Sequence, residues 1–334
     1  MIKEVHIKSF GAISSLDVQQ FGKINLLIGQ NGTGKTFALK AMYAAQKCIE
    51  QYGRGKEPRS VKELLADSLY WTFQPEMIGS LVKKGESPLS FLLKSDTGDS
   101  FQFSFGNTTT KEIKNVESTF APTSVNSIFL PAKEVISIQD SIIRLYDVDK
   151  MFGFDKTYVD LARAMSKTVK GRNYKEFSTA RNKLQDAIGG RLEFDDVKKS
   201  WAFMDNGKRS IEISLTSEGI KRLSVLELLL GNHYLSKESV VFIDEAEANL
   251  HPELISKFMD IVVLMAEAGV QFFISSHSYF VIKNLYILAH ENNISVPTIS
   301  FEETGAKIYD LHDGMPDNPI VRESVNLYRR EINL

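Results

Sequence analysis

The feature that most constrains the fold is a glycine-rich loop near the start of the chain. Residues 29–36 read GQNGTGKT, and they follow the apolar run INLLI at residues 24–28. A continuous apolar run of this kind is typical of a buried strand, and residues 35–51 are predicted to form a helix. In that context the glycines let backbone N–H groups point inward, where the positive end of the helix also favours an anion. The segment therefore predicts a site for the phosphates of a nucleotide.

The chemistry of the loop assigns roles to its side chains. Lys35 is expected to contact the β- and γ-phosphates and to take part in catalysis, and the Thr36 hydroxyl is expected to ligate Mg²⁺. ATP and Mg²⁺ are therefore the expected cofactors. The residues expected to bind the nucleotide are Gly29, Asn31, Gly32, Thr33, Gly34, Lys35 and Thr36.

Two further apolar runs end in polar residues. VVFI at residues 240–243 is followed by Asp244 and Glu245, and a later FFI segment leads through two serines to His277. The carboxyl ends of parallel strands share one edge of a sheet, so we expect Asp244 beside the phosphate loop, where it would hold Mg²⁺. Glu245 would polarise the attacking water, and His277 would donate to the γ-phosphate or to that water. The competing interpretation is that the first strand simply ends in two solvated acids and that His277, after the second strand, has a structural role.

Composition excludes several classes of protein. The chain has 334 residues and a net charge of −2, from 40 Lys and Arg against 42 Asp and Glu, so it does not coat nucleic acid through bulk charge. Its single cysteine, Cys48, excludes an internal disulfide and a cysteine-rich zinc site. The opening residues lack the apolar segment of a signal peptide, and no apolar stretch reaches the roughly 18 residues of a membrane span. We expect a cytoplasmic protein without a membrane partner.

The order of elements predicts an α/β fold. Strands and helices alternate in the second half of the chain, which favours a mainly parallel sheet covered by helices. Alternating apolar residues around turn sequences predict antiparallel hairpins at residues 89–105 and 191–215, the second turning at Asp-Asn-Gly. Residues 133–190 are predicted to be largely helical. We expect a single domain over residues 1–334, in which residues 133–215 form a helical insertion and a hairpin.

The distance between the motifs separates classes of nucleotide-binding protein. More than half of the chain lies between Thr36 and Asp244, whereas compact P-loop kinases, GTPases and AAA+ motors usually have a much shorter gap. A long insertion suggests an ABC-type ATPase, in which a signature segment precedes the acidic strand. LTSEGIKRL at residues 215–223 looks like a degenerate form of the signature Leu-Ser-Gly-Gly-Gln. Ser217 and Gly219 at a helix start would bind a γ-phosphate, and the alternative is an ordinary helix cap.

Four segments in a fixed order carry a family resemblance: GQNGTGKT, LTSEGIKRLS, VVFIDEAEANLHPEL and FFISSHS. Together they resemble the soluble ABC-type ATPases of the OLD, PtuA and RecF-like group, which is also grouped with SMC and DNA-repair ATPases. The resemblance covers residues 1–50 and 210–280 closely, and the rest of the chain in layout. It implies a P-loop NTPase fold of ABC-ATPase type, with an antiparallel β layer and a helical insertion added to the parallel sheet.

The resemblance also implies how the site is assembled. Two copies would form a head-to-tail dimer, in which ATP held by the phosphate loop of one copy is closed over by Ser217 and Gly219 of the other. Glu245 would then act as the general base, and His277 would sense the γ-phosphate. The chain itself is therefore the first expected partner.

Other positions match the family less closely. Asn249 and His251 match the segment near the dimer seam, although a helix-capping role is the alternative for His251. Gln139 is the candidate for the Q-loop glutamine, and it lies far from the strand that should precede it. Glu218 stands where the common signature has glycine. Because the chain ends soon after His277, we expect no nuclease domain, and an effector such as a nuclease or toxin would be a separate protein.

Two main functions compete. One is an ATP-hydrolysing switch that assembles or restrains an effector, with a role in bacterial anti-phage defence that only the resemblance implies. The other is a DNA-maintenance ATPase of RecF or SMC type, supported by the segment 155–183, which has eight Lys and Arg against three acids. A solvated helical face is the plainer interpretation of that segment. The nucleotide-binding subunit of a transporter is disfavoured because the sequence has no membrane part. A module that binds ATP without hydrolysing it is disfavoured because two carboxylates, Asp244 and Glu245, follow the strand.

Overall fold

The computed structural model describes residues 1–55, 59–86, 88–167, 174–302 and 305–334. Its strands are β1 (Ile2–Phe10), β2 (Ile13–Val18), β3 (Ile24–Gly29), β4 (Leu89–Ser95), β5 (Ser100–Phe105), β6 (Asn115–Ser118), β7 (Ile128–Leu130), β8 (Gly190–Asp195), β9 (Ser200–Asp205), β10 (Ser210–Glu212), β11 (Val240–Ile243), β12 (Gln271–Ser276), β13 (Pro297–Glu302) and β14 (Gly305–Asp310). Its α-helices are α1 (Lys35–Gln51), α2 (Val61–Phe73), α3 (Gln139–Asp147), α4 (Lys156–Met165), α5 (Lys175–Ile188), α6 (Glu218–Gly231), α7 (Pro252–Glu267), α8 (Tyr279–Glu291) and α9 (Pro319–Ile332).

A six-stranded sheet forms the centre of the fold. Its strand order is β14-β13-β3-β12-β11-β7, and every pairing is parallel except that of β14 with β13. Because successive side chains of a strand point to opposite faces, Val241 and Ile243 join the core on one face, and Val240 and Phe242 join the core on the other. Both faces are covered, which is why the strand reads as a continuous apolar run. The predicted α/β fold with a mainly parallel sheet is confirmed.

Different layers cover the two faces. On one face, α1 packs between the central sheet and a five-stranded antiparallel sheet of order β2-β1-β4-β5-β6. The hairpin predicted at residues 89–105 is the β4–β5 pair of this sheet. On the other face, helices α4 to α8 pack against the central sheet. The antiparallel layer that the sequence predicts is therefore confirmed, and it holds α1 and the phosphate loop against the parallel strands.

The region predicted as a helical insertion holds α3, α4 and α5. Residues 168–173, between α4 and α5, lie outside the described residues. Helices α4 and α5 contribute Leu161, Phe177 and Leu184 to the same core as the central sheet. Among the helices of the described ranges, none is both long and apolar enough to cross a bilayer.

The second predicted hairpin is instead a three-stranded meander of β8, β9 and β10. The predicted turn lies between β9 and β10, and a further turn separates β8 from β9. Asp195 makes this further turn, because its carboxylate accepts hydrogen bonds from the N–H groups of Val197 and Lys198, each at 2.9 Å. Aspartate favours turns through contacts of this kind. The range 191–215 therefore contains two turns rather than one.

Helix α2 is missing from the sequence-based prediction. It begins with a capping box, in which the Ser60 hydroxyl accepts from the Glu63 N–H at 3.3 Å and the Glu63 carboxylate accepts from the Ser60 N–H at 2.9 Å. This reciprocal pair satisfies two N–H groups that a helix start leaves without partners. The Ser-x-x-Glu spacing at residues 60–63 is the signal that predicts such a helix.

Candidate nucleotide-binding site

The glycine-rich loop leaves the carboxyl end of β3 and turns directly into α1. Gly29 and Gly34 have φ angles of 146° and 106°, which favour glycine. At Gly29 a Cβ would also lie 2.4 Å from the Phe301 carbonyl oxygen, so a side chain does not fit there. Lys35 Nζ donates to the carbonyl oxygens of Gly29 and Gln30 at 2.8 and 2.7 Å. The loop therefore keeps its lysine folded back over its own backbone.

The surroundings of the Lys35 ammonium group favour its contact with an anion. Burial lowers the pKa of Lys35 to about 8, although the carboxylates of Asp244, Glu245 and Glu247 pull that pKa upward. Its two hydrogen-bond acceptors are neutral carbonyl groups. A polyphosphate beside Nζ would favour the charged form far more strongly than these carbonyls do.

The Thr36 hydroxyl meets the Asp244 carboxylate at the edge of the sheet. The hydroxyl donates to Asp244 Oδ1 at 2.8 Å, and Ser275 Oγ donates to the same oxygen at 2.6 Å. Asp244 follows β11 and Ser275 lies in the neighbouring parallel strand β12, so both groups reach the same edge. A hydroxyl and a carboxylate are hard oxygen ligands of the type that Mg²⁺ prefers. The pair Thr36 and Asp244 therefore fits a magnesium ion.

Glu245 and His277 lie at the same cavity as the phosphate loop. The cavity has a volume of about 680 Å³. Its wall includes Asn31, Gly32, Gly34, Lys35, Thr36, Glu245 and His277. Glu245 has a φ of 49°, and its N–H donates to Ser275 Oγ at 2.9 Å. A carboxylate and an imidazole at the wall of an anion site have the chemistry to accept or donate a proton at a bound water.

Two of the predicted loop residues lie outside the wall of this cavity. The Thr33 hydroxyl donates to the Gln30 carbonyl oxygen at 2.9 Å. Gly29 contributes the carbonyl oxygen that Lys35 binds. Within this structure, both residues make contacts that hold the loop in its folded conformation.

Glu247 links the acidic turn to the end of β12, and it is one of two residues that sequence reasoning missed. Its carboxylate accepts from the His277 N–H at 2.6 Å and from Ser276 Oγ at 2.8 Å. This contact fixes the backbone of His277 relative to the turn that carries Glu245. The third acid of the sequence Asp-Glu-Ala-Glu is the signal for it.

Arg222 is the other residue that sequence reasoning missed. It lies on α6, and its guanidinium donates to the backbone carbonyl groups of Asp244, Glu245 and Ala248. Burial lowers the pKa of Arg222 to about 10, so the side chain remains charged at neutral pH. One buried side chain therefore holds the acidic turn against α6. A basic residue one turn after Gly219 was the only signal in the sequence.

The predicted signature residues lie away from the cavity. Ser217 is the exposed N-cap of α6, and its side chain makes no capping hydrogen bond. Gly219 is buried, and a Cβ there would lie 2.4 Å from the Asn249 carbonyl oxygen. Neither residue belongs to the cavity wall around Lys35. The structure therefore does not bring Ser217 and Gly219 to the phosphate loop of the same chain.

The two predicted seam residues lie in the turn between β11 and α7. Asn249 is exposed and has a φ of 60°. His251 is the N-cap of α7, where its Nδ1 accepts from the Glu253 N–H at 3.3 Å. The helix-capping alternative therefore accounts for His251 within the chain.

Gln139 does not reach the site. Its amide nitrogen donates to the Ala162 carbonyl oxygen at 2.6 Å and to Ser166 Oγ at 2.9 Å. Its amide oxygen accepts from Trp201 Nε1 at 2.6 Å. The buried amide is thus occupied in joining α3 to α4 and β9, and Gln139 is not part of the cavity wall around Lys35.

The fold, the phosphate loop and the acidic strand end define a P-loop ATPase of the ABC and AAA type. The family described as "AAA domain, putative AbiEii toxin, Type IV TA system" matches residues 24–283, more than three quarters of the chain. The chain belongs to this family. The matched range includes every predicted site residue from Gly29 to His277.

The chain is similar to several solved structures, and the first of them shares the fold. The SMC head bound to the C-winged helix domain of ScpA has a TM-score of 0.57 at 13% identity, covering 92% of this chain and 97% of that chain. The Smc head domain from Pyrococcus furiosus, with an extended coiled coil and bound to the C-terminal domain of ScpA, scores 0.49 at 12% identity over 100% and 99%. RecF with ATP scores 0.46 at 14% identity over 92% and 97%. No curated protein matches the sequence.

Proposed function

We propose that this chain hydrolyses ATP with Mg²⁺ and that two copies close head to tail around the nucleotide. The observation that carries the proposal is the contact between Thr36 and Asp244 at 2.8 Å. It joins two segments that lie far apart in the sequence, at a cavity whose wall also holds Lys35, Glu245 and His277.

Each side chain has a role in the proposed reaction. Lys35 would leave the two carbonyl groups that it binds and contact the β- and γ-phosphates. Thr36 and Asp244 would hold Mg²⁺, which neutralises charge on the phosphate oxygens. Glu245 would orient the attacking water and take its proton, while His277 would donate to the γ-phosphate.

The proposed dimer follows from the position of the signature segment. The start of α6 is exposed, and the Ser217 hydroxyl has no capping partner in its own helix. A helix start favours an anion through its unpaired N–H groups and its dipole. Ser217 and Gly219 lie outside the cavity of their own chain, so the γ-phosphate that they would bind is that of a second copy.

The proposed biological role rests on the family. Its description names a putative AbiEii toxin and a type IV toxin–antitoxin system. Together with the resemblance to the OLD and PtuA group, this family description supports the proposal of a cytoplasmic ATPase in bacterial anti-phage defence. The ATPase would control a separate effector, such as a nuclease or toxin. We propose that residues 1–334 work as one ATPase domain, with residues 133–215 as its insertion.

A DNA-maintenance role has less support from the segment 155–183. Lys170 and Arg172 lie outside the described residues. Three basic residues pair with acids of the same chain: Lys156 with Asp160, Arg163 with Asp147 and Arg181 with Glu227. The exposed ones are Lys167, Lys175 and Lys183. Salt-sensitive DNA binding that disappears when these three lysines are replaced by glutamine would favour this role.

The proposed hydrolysis is tested by Glu245→Gln. Removing the general base should slow phosphate release by roughly 10²–10⁴ while ATP still binds. Glu267→Gln is the matched control, because Glu267 is exposed at the end of α7, before β12 begins. Phosphate release and equilibrium ATP binding are measured for both variants. An unchanged rate in Glu245→Gln would reject its role as the base.

A further inference from the structure

The cavity extends beyond the groups that the proposed phosphate chemistry uses. Past the phosphate loop it continues along the first turn of α1 toward the end of α2 and the start of α4. The wall at this end includes Phe37, Lys40, Phe73, Gln74 and Asp155. Phe37 is two residues beyond Lys35, so a ligand whose phosphates lie at Lys35 has its remaining part within reach of this end.

Two aromatic rings form the floor of this end. The centroids of Phe37 and Phe73 are 4.5 Å apart, with their planes inclined by 37°. Phe10, which is fully buried, packs beneath both rings with centroids at 5.1 and 5.4 Å. Phe37 and Phe73 are only half-buried, and both belong to the cavity wall. Aromatic rings fixed from behind and open to a cavity offer a surface for stacking a flat heterocycle.

The position of Phe37 depends on Gly11, in the turn between β1 and β2. A Cβ on Gly11 would lie 2.1 Å from the Cζ atom of Phe37, and the φ of Gly11 is 56°. The ring thus occupies space that a side chain at residue 11 would fill. The turn of the antiparallel sheet and the first turn of α1 meet at this ring.

The rim beside this floor presents a hydrogen-bond acceptor. Gln74 Nε2 donates to the Phe154 carbonyl oxygen at 3.0 Å. A carbonyl oxygen only accepts, so this contact fixes which end of the amide is nitrogen. The Gln74 Oε1 atom is then the end that remains for a ligand. Lys40 and Asp155, on the same wall, form an ion pair at 2.6 Å and neutralise each other.

We infer that this end of the cavity binds the adenine base of ATP. The base would stack on Phe37 and Phe73, and its C6 amino group would donate to Gln74 Oε1. This inference rests on the proposed function, because the triphosphate at Lys35 places the base. A purine with a carbonyl group at C6, such as hypoxanthine or guanine, would set two acceptors against each other at Gln74.

The acceptor is tested with ATP and inosine triphosphate, which has a carbonyl group at C6. The wild-type chain should bind ATP roughly 10-fold more tightly, as expected for one gained hydrogen bond against one opposed pair of acceptors. Gln74→Asn shortens the side chain by one methylene and keeps a residue that tolerates the φ of 50° at this position. In this variant the affinity ratio should fall toward one, through weaker ATP binding. Equal weakening of both nucleotides would show a purely structural role for Gln74 and overturn the inference.

The aromatic floor is tested with Phe73→Ala. Loss of stacking should weaken ATP and inosine triphosphate alike, by roughly 10-fold, and leave the affinity for inorganic tripolyphosphate with Mg²⁺ unchanged. If the alanine variant does not fold, Phe73→Leu keeps the packing against Phe10 and should give a smaller loss of the same pattern. An unchanged affinity for both nucleotides would overturn the aromatic part of the inference.

The outcomes separate the inference from the proposed function. ATP binding in which wild-type protein does not distinguish ATP from inosine triphosphate contradicts the base site and leaves the proposed ATPase intact. Failure of the wild-type chain to bind either ATP or tripolyphosphate contradicts the proposed function, and the base site with it.

Discussion

Two helix starts in this molecule carry the predicted phosphate-binding residues, and their surroundings differ. The start of α1 opens into a cavity with Glu245 and His277 in its wall, and its Thr36 binds Asp244 directly. The start of α6 is exposed at Ser217, outside that cavity. The first site therefore has its proposed chemical groups within one chain, whereas the start of α6 lies outside the cavity wall that holds them.

Arg222 connects these two regions. It lies on α6, and it donates to carbonyl groups of the turn that carries Asp244 and Glu245. A ligand at the start of α6 would therefore act on a helix that is fixed to the acidic turn. In the proposed dimer, one chain supplies the reacting groups and a second copy supplies the final contact.

The largest expected effect that separates the two regions comes from Ser217→Arg. Blocking the start of α6 should lower turnover by roughly 10²–10³, as expected when a phosphate-binding group is lost. ATP binding to the dilute chain should stay unchanged, because Ser217 lies outside its own cavity. Lys35→Ala should instead weaken ATP binding itself. Phosphate release and equilibrium binding distinguish the two variants.

Ser124→Arg is the control for this pair. Ser124 is exposed and precedes β7, so it lies toward the opposite edge of the central sheet from the site. Turnover in this variant should match that of the wild-type chain. If Ser217→Arg weakened ATP binding as much as Lys35→Ala does, the two regions would not be separate.

The next effect concerns the connection between the regions. Arg222→Met should lower the free energy of unfolding by about 3 kcal/mol, because buried carbonyl groups lose a charged donor. Chemical denaturation measures this loss. In the control Arg191→Met the change should stay within about 0.5 kcal/mol, because Arg191 is exposed and pairs with Glu193 at the surface. Equal losses in the two variants would contradict the connecting role of Arg222.

The smallest effect is a pH dependence at the start of α1. Burial lowers the pKa of Lys35 to about 8, and a triphosphate favours the charged form. Above that pH the free protein has a neutral Lys35, so binding must take up a proton. ATP affinity should therefore fall by up to about tenfold for each pH unit above 8.

Isothermal titration of ATP between pH 7 and pH 9.5 measures this dependence. Lys35→Arg keeps its charge over the whole range, so its profile should be flat wherever it still binds. A flat profile for the wild-type chain would show that Lys35 stays charged without a ligand.

The sequence predicted the parts of the site that short segments encode. The phosphate loop needs its glycines and its lysine at fixed spacing, and the ends of parallel strands meet by topology alone. The sequence alone therefore places Asp244, Glu245 and His277 on one edge of the sheet. The parallel order of β3, β12 and β11 brings these ends together.

The residues that the sequence did not predict act through contacts between segments. Arg222 and Glu247 matter because of the backbone groups that they face, and those groups become neighbours only in the folded chain. Gln139 shows the same limit of short sequence patterns. Its distance from β7 along the chain already counts against a Q-loop role, but only the fold shows that its amide is buried between α3, α4 and β9.

Mixing two inactive variants tests the central claim most directly. In a head-to-tail dimer of Lys35→Ala with Ser217→Arg, one site carries both substitutions and the other site carries neither. If the variants are mixed before ATP is added, phosphate release should return to about a quarter of the wild-type rate, since half of the dimers have one intact site. A mixture that is no more active than the two separate variants would contradict a site shared between two copies.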